Sequence, residues 1–298
     1  MSHTKRGLHA LHPLSAFLYY MGGAVFIMAG QHPVFAACTF VLVFVLNGIQ
    51  DHFAALKKWG RWYAAAAFLI VILTPAFHRR GTHILFYFRD NPVLLEGVIQ
   101  GVIAALSLLA LLFLFVSFNQ VITSEKFLFL FARVVPQWAL LAMLTMRFVP
   151  LFQRRLHDIG LVQKTKGVSV KKGGFLSRIE SAMKLLHILL EWSLEEALQT
   201  ADSMKARGYG IERRSRYSPY AFSAIDAVVL ALTAAGGVCA IFGYALGDTV
   251  LTTSPVLEPV LLSGREWFYF SVYLFYFAFP MMIEGRERWR WHFSKSTK

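Results

Sequence analysis

Two short segments near the middle of the chain end alike. Gln163-Lys164-Thr165-Lys166-Gly167 and Met204-Lys205-Ala206-Arg207-Gly208 both close on a small residue, a cation and a glycine. This pattern offers recognition chemistry. An arginine at a helix tip presents a planar fork of donors to a carboxylate in a groove and stays charged throughout. A glycine just behind it lets the tip enter a narrow cleft. A cation at a helix C-terminus is also favoured by the helix dipole on its own account, so ordinary capping would explain one such end; two in a single polar stretch point to docking. Catalytic signatures are missing from the sequence. The glycines beside Lys171-Lys172-Gly173-Gly174 do not form a phosphate-binding loop, and no serine sits in a nucleophile elbow. His3, His9 and His12 gather near the N-terminus and His78 and His83 share a loop. Neither group has the spacing of a zinc site or of a His-Glu-x-x-His hydrolase, so these read as incidental surface histidines, with no metal and no cofactor expected.

The tips need helices to carry them. Between Phe152 and Ala221 lies the one long polar stretch, dense in Lys and Arg and tempered by acids. Met183, Leu186, Leu190, Leu194, Ala197, Ala201 and Met204 recur at spacings of three and four, which places them along one face of a helix. Glu191, Glu195, Glu196, Gln199 and Asp202 point elsewhere. The pattern predicts a helix from about Leu176 to Arg207, stopped by Gly208, and a shorter one from Val149 to about Lys166, stopped by Gly167. The apolar face is too long to leave in water: it either covers a partner's apolar surface or packs against the chain's other helix. Just upstream, Arg147 lies in an apolar run, either as a functional intramembrane charge or snorkelling to the cytoplasmic surface. Pro150 predicts a bend where that run leaves the membrane.

The rest of the chain is built for lipid. Of 298 residues, 56% are hydrophobic and only 16% charged, with a mean hydropathy of +0.51. That excludes an ordinary cytosolic enzyme, a disordered chain and a secreted disulfide scaffold. Cys38 and Cys239 both sit inside apolar blocks, so no disulfide framework is expected. Apolar blocks at Leu14–Ala29, Pro33–Ile49, Trp62–Phe77, Val93–Phe118, Ala227–Leu246 and Trp267–Met282 predict about six spans, with Glu96 reaching the interface near the start of the fourth. A seventh block, Gln137–Phe152, is shorter and interrupted. The expected fold is all-α, a polytopic membrane helix bundle with two long cytoplasmic helices. Its parts are N-terminal spans over 1–152, a cytoplasmic segment over 153–216, and a C-terminal hairpin with a basic tail over 217–298. Lys5, Arg6, Lys57, Lys58 and Arg61 flank the early spans, and a basic tail follows Met282. By the positive-inside rule both termini are cytoplasmic. Arg79, Arg80 and Arg89 would lie outside, and the parity requires that one early block does not fully cross; the Gln137 block is the candidate. The net charge of +13 follows from this topology and not from nucleic-acid binding, for which no soluble domain exists to display a basic face. Lys5-Arg6 and the Phe35–Cys38 run loosely imitate a lipoprotein signal, but the spacing is too long, and an uncleaved first span is expected.

Arg147-Phe148-Val149-Pro150-Leu151, the Gln163–Gly167 end and above all Ala206-Arg207-Gly208-Tyr209-Gly210 resemble the transmembrane T component of energy-coupling factor (ECF) transporters, bacterial importers of vitamins and metals. That family closes two coupling helices with Ala-Arg-Gly. Here the second signature is intact and the first is altered to Thr165-Lys166-Gly167, where lysine lacks arginine's bidentate fork. The resemblance implies that the two helices cross on the cytoplasmic face with their tips in the grooves of two ABC-type ATPases. It implies a small substrate-binding membrane protein, the S component, as a further partner in the bacterial inner membrane, with substrate choice residing there. A self-contained secondary transporter or membrane enzyme is the alternative. It would be expected to show internal repeats or polar groups clustered in the spans, and the sequence shows neither.

Overall fold

The computed structural model describes residues 8, 11–51, 53–77, 84–88, 91–132, 134–166, 174–211, 220–251, 262 and 264–295. Among them are nine helices: α1 (Pro13–Ala29), α2 (Pro33–Asp51), α3 (Ala54–Phe77), α4 (Leu95–Val121), α5 (Ser124–Ala132), α6 (Pro136–Thr165), α7 (Phe175–Ala206), α8 (Ala224–Leu246) and α9 (Glu266–Lys295). The expected all-α class holds, with one addition. Between α3 and α4, β1 (Ile84–Phe88) pairs antiparallel with β2 (Asn91–Leu94). This hairpin takes Val93 out of the fourth span. Pro92 suits an extended edge and opposes helix just there, so the helix begins beyond it, from an extended cap at Leu94. Glu96 in its first turn is favoured by the helix dipole. It is fully buried, and so does not reach outward as the sequence suggests.

The chain divides into two compact units, Met1–Phe127 with Tyr220–Lys298, and Leu128–Pro219. The first holds five helices long and apolar enough to span a bilayer, with windows at Pro33–Gln50, Leu56–Phe77, Leu95–Val121, Ala224–Leu246 and Glu266–Gly285, and the shorter apolar helix α1. Five of the six spans that the sequence predicts are thus long and apolar enough to cross, and the first, Leu14–Ala29, falls in the shorter α1. Their outer faces carry exposed Val41, Phe68, Ile72, Ile241 and Phe275, as lipid requires. Cys38 and Cys239 are free thiols on different helices.

Lipid tails are as apolar as leucine, so apolar burial gives membrane helices little reason to associate, and close packing and hydrogen bonds must hold them together. The centre of this packing is α1 against α8 and α9. Tyr276 of α9 stacks on Tyr19 at 4.9 Å and on Phe26 at 4.3 Å, and its hydroxyl donates to the Tyr19 carbonyl at 2.6 Å. Glycines let the rings in: a Cβ on Gly22 would stand 2.7 Å from the Tyr276 Oη and 2.9 Å from Thr233 Cγ2, and one on Gly236 would stand 2.9 Å from Phe26 Cζ. A second seam is polar. Tyr20 donates to Ser117 Oγ at 2.7 Å, Ser117 donates to Gln50 Oε1 at 2.6 Å, and Asn47 Nδ2 donates to the Val43 and Phe113 carbonyls at 2.9 Å, tying α1, α2 and α4 together.

Two histidines have structural work that the sequence does not announce. His12 precedes Pro13 and His32 precedes Pro33, and each accepts from the backbone N–H two residues on, at 3.2 and 3.3 Å. Each closes one unsatisfied donor at a helix start while proline fills the first helical position. His12 is therefore a cap, where the sequence suggests an incidental surface residue.

Tyr276 cannot yield to a new methyl group, because stacking and its hydrogen bond both fix the ring. Gly22→Ala should lower the stability of the detergent-solubilised chain by about 1–3 kcal/mol, an overpacking cost. Thermal unfolding of the two proteins side by side measures it, and an unchanged midpoint would mean that the seam has slack.

Candidate docking site

The second unit is dominated by α6 and α7, and the two signature segments lie at the ends of these helices. No glycine or proline interrupts α7 between Phe175 and Ala206, and Glu180 accepts from Lys184 at 2.8 Å one turn along. That hydrogen bond and the lysine's charge hold the Glu180 carboxyl below its usual range. The pair is exposed and adds little stability.

The helix stops at its glycine by a complete Schellman closure. The Gly208 N–H donates to the Lys205 carbonyl at 2.9 Å and the Tyr209 N–H to the Met204 carbonyl at 3.0 Å. Gly208 adopts φ +78° and Gly210 φ +92°, left-handed conformations that bracket Tyr209. Arg207 is the last residue before the reversal, at φ −85°. Ala206, Arg207 and Gly208 are all exposed, and among the described residues the guanidinium forms no ion pair. The structure thus places a charged fork at the extreme tip of a closed helix.

The first tip differs. α6 ends at Thr165, whose hydroxyl donates back to the Val162 carbonyl at 2.7 Å, and Lys166 caps it with its N–H on the Gln163 carbonyl at 3.1 Å. Thr165 and Lys166 are exposed, and Gly167 lies outside the described residues. Upstream, the structure corrects one boundary. α6 is a single helix from Pro136, running through Pro150, where the sequence suggests a new helix at Val149. A proline removes one N–H, here the partner of the Met146 carbonyl, and strong helix formers on both sides carry the helix past it. Arg147 and Pro150 are both exposed on this helix. The Gln137 block is thereby part of α6, which is not among the helices that meet the length and apolarity of a span.

The two helices meet at a feature the sequence reading missed. Phe152 packs edge-to-face on Trp192 at 5.9 Å, the Arg155 guanidinium lies 4.7 Å from the Trp192 ring centre, and Phe148 stacks behind Phe152. A cation over a tryptophan face contributes about 0.5–2 kcal/mol. The signal was present as Phe148, Phe152 and Arg155 at helical spacing, with a lone tryptophan midway along α7. Trp192 belongs to a half-buried side of α7 that includes Leu185, Ile188, Leu189 and Glu196. The face picked out by periodicity is a different one. Met183, Leu186, Leu190, Leu194, Ala197 and Ala201 are exposed, and Met204 is half-buried; α7 has no fully buried residue.

An alanine at φ +78° is strained by about 1–2 kcal/mol. Gly208→Ala should therefore fray the closure, speeding hydrogen exchange of the Gly208 and Tyr209 amides roughly 5- to 30-fold. Unchanged exchange would show that the turn does not depend on glycine.

Residues 4–218 match the family described as CbiQ, cobalt transport protein. The energy-coupling factor transporter transmembrane protein EcfT of Leuconostoc gelidum subsp. gasicomitatum is 33% identical over 98 residues, 33% of this chain and 37% of that one. The EcfT of Staphylococcus aureus is 23% identical over 248 residues, 76% of this chain and 88% of that one. The EcfT of Bacillus selenitireducens is 28% identical over 185 residues, 55% of this chain and 66% of that one.

Proposed function

This chain belongs to the CbiQ family, as a transmembrane component of ECF-type transporters in a multi-pass cell-membrane setting, and on that premise we propose that it is the non-catalytic coupling subunit of such an importer. Its tips dock in the grooves of two ABC-type ATPases and pass their ATP-driven motion to a small membrane S component that carries a vitamin or metal ion. The protein sits in the bacterial inner membrane with both termini in the cytoplasm. The observation that carries this reading is the exposed Arg207 at the end of a helix closed by Gly208. A fork in this position suits a carboxylate at the bottom of a cleft, and the tip needs no rearrangement to reach it.

Two further features support the reading. Met183, Leu186, Leu190 and Leu194 stand in the open along one side of α7, and a partner's apolar surface that buries them gains about 1.5–3 kcal/mol for each side chain fully covered. The S component is the partner that this face fits. The tips are also chemically unequal. Lys166 offers a point charge where Arg207 offers two parallel donors, so the second tip carries the larger share of docking.

Pull-down of the full chain from gently solubilised membranes of its host should recover two ABC-type ATPases and a small membrane protein. Arg207→Glu should abolish ATPase recovery, since a like charge against a carboxylate costs on the order of 2–5 kcal/mol, while Lys166→Glu should reduce it less. Undiminished recovery with both variants would refute the docking role. Recovery of the chain alone, with transport by the purified chain, would favour a self-contained transporter.

A further inference from the structure

Where α1, α2 and α4 meet, the polar seam leaves two buried atoms unmatched. Asn47 is 4% exposed, and its Nδ2 donates to the Val43 and Phe113 carbonyls at 2.9 Å each. Gln50, three residues on, accepts at Oε1 from the Ser117 hydroxyl at 2.6 Å, and Ser117 in turn takes the hydrogen of Tyr20. The other atom of each amide, Asn47 Oδ1 and Gln50 Nε2, is buried and has no hydrogen-bond partner among the described residues. One is an acceptor and the other a donor. The orientation of Asn47 is forced, because its oxygen, turned toward two carbonyls, would be repelled by both. Turning Gln50 over only exchanges which of its atoms is left over, since the Ser117 hydroxyl can donate or accept. Inside a bundle surrounded by hydrocarbon, leaving such atoms unmatched is costly.

We propose that Asn47 and Gln50 form a binding site for one internal water molecule. Residues three apart share a helix face, with Cβ atoms about 5–6 Å from each other. Two hydrogen bonds of about 2.8–2.9 Å through a single oxygen cover the same span. The water donates to Asn47 Oδ1 and accepts from Gln50 Nε2, and because it both donates and accepts it serves Gln50 in either orientation. A sodium ion needs oxygens alone, and the Nε2 hydrogens stand where it would bind. Gln50 is half-buried and one residue from the end of α2 at Asp51, so water reaches the site from the helix end. On the adjacent face of α2, the Phe44 ring lies 5.5 Å from Phe113 and 5.0 Å from Phe53, an apolar wall with nothing to offer it. With the water in place, Tyr20, Ser117, Gln50, Asn47 and the Phe113 carbonyl form one hydrogen-bonded chain from α1 to α4. The contact of α2 with α4 is then made partly through a small displaceable molecule, unlike the ring-locked contact of α1 with α9. This inference stands independently of the coupling reading.

The test uses the full chain in lipid nanodiscs with nitrogen-15 in its Asn and Gln side chains. Gln50→Met and Asn47→Leu assign the two side-chain amides by the signals they remove. In the unsubstituted chain the Gln50 amide should show a cross-peak to water whose sign in the rotating frame is opposite to the diagonal, which separates a bound water from proton exchange. In Asn47→Leu that cross-peak should fall by about fivefold or more, since a water that loses a partner is held less long. Replacing sodium chloride by choline chloride should leave both amide signals in place. Absence of the cross-peak from the unsubstituted chain would show a dry seam and overturn the inference. So would an undiminished cross-peak in Asn47→Leu, and a shift of the amides on removing sodium would assign the site to a cation instead. If the variants fail to fold, a density map that resolves ordered waters decides the matter. A peak within hydrogen-bond distance of both Asn47 Oδ1 and the Gln50 amide supports the site, and no peak there overturns it.

Discussion

The bundle depends on one aromatic ring. Tyr19 and Phe26 lie two turns apart on α1, about 10 Å by helical rise, and Tyr276 sits within 5 Å of both, so its ring is held between them. Each such contact contributes about 0.5–1.5 kcal/mol beyond area, and the hydroxyl's bond to the Tyr19 carbonyl adds an interaction that water cannot replace inside the bundle. The sandwich is possible because Gly22 and Gly236 present no side chain where the ring enters. In a solvent of hydrocarbon, where apolar burial earns little, this combination of missing side chains and rigid rings supplies the specificity that a hydrophobic core supplies in water.

The second unit is built on the opposite principle. α7 buries no residue completely, and α6 buries only Ala139. α7 keeps its form through local means: a run of good helix formers with no glycine or proline, an i,i+4 pair at Glu180 and Lys184, and a closed end at Gly208. A pair of rods with so little interior leaves its surfaces available to other chains. One unit is thus held by its interior and the other by its own helical geometry.

Much of this was legible in the sequence, for identifiable reasons. The spans were readable because lipid demands long apolar runs, and the end of α7 was readable because a helix stopped by glycine writes its own punctuation. The exposed stripe was found by periodicity alone, since amphipathic spacing survives without a partner. What periodicity could not supply was the contact between α6 and α7. Trp192 lies on the less conspicuous side of its helix, and its match to Phe152 and Arg155 is a matter of three dimensions. The start of α6 was placed too late, at Val149, because the apolar block before it reads as a separate element when only local pattern is used. The inward turn of Glu96 and the capping by His12 and His32 were invisible too, as each depends on where a chain end or a neighbouring helix lies.

The meeting of Phe152, Arg155 and Trp192 also sets lever arms. At a rise of about 1.5 Å per residue, Arg207 stands about 22 Å beyond Trp192, and Lys166 about 17 Å beyond Arg155. With these arms about a common fulcrum, a rotation of about 10° at the aromatic contact displaces the Arg207 tip by roughly 4 Å and the Lys166 tip by roughly 3 Å. A cation over a ring tolerates such a rotation better than a directional hydrogen bond would, because the attraction is to a face and not along a single axis. The aromatic contact therefore fixes the angle between α6 and α7 less tightly than a directional bond would, and any given turn at it displaces the end of α7 about a third farther than the end of α6.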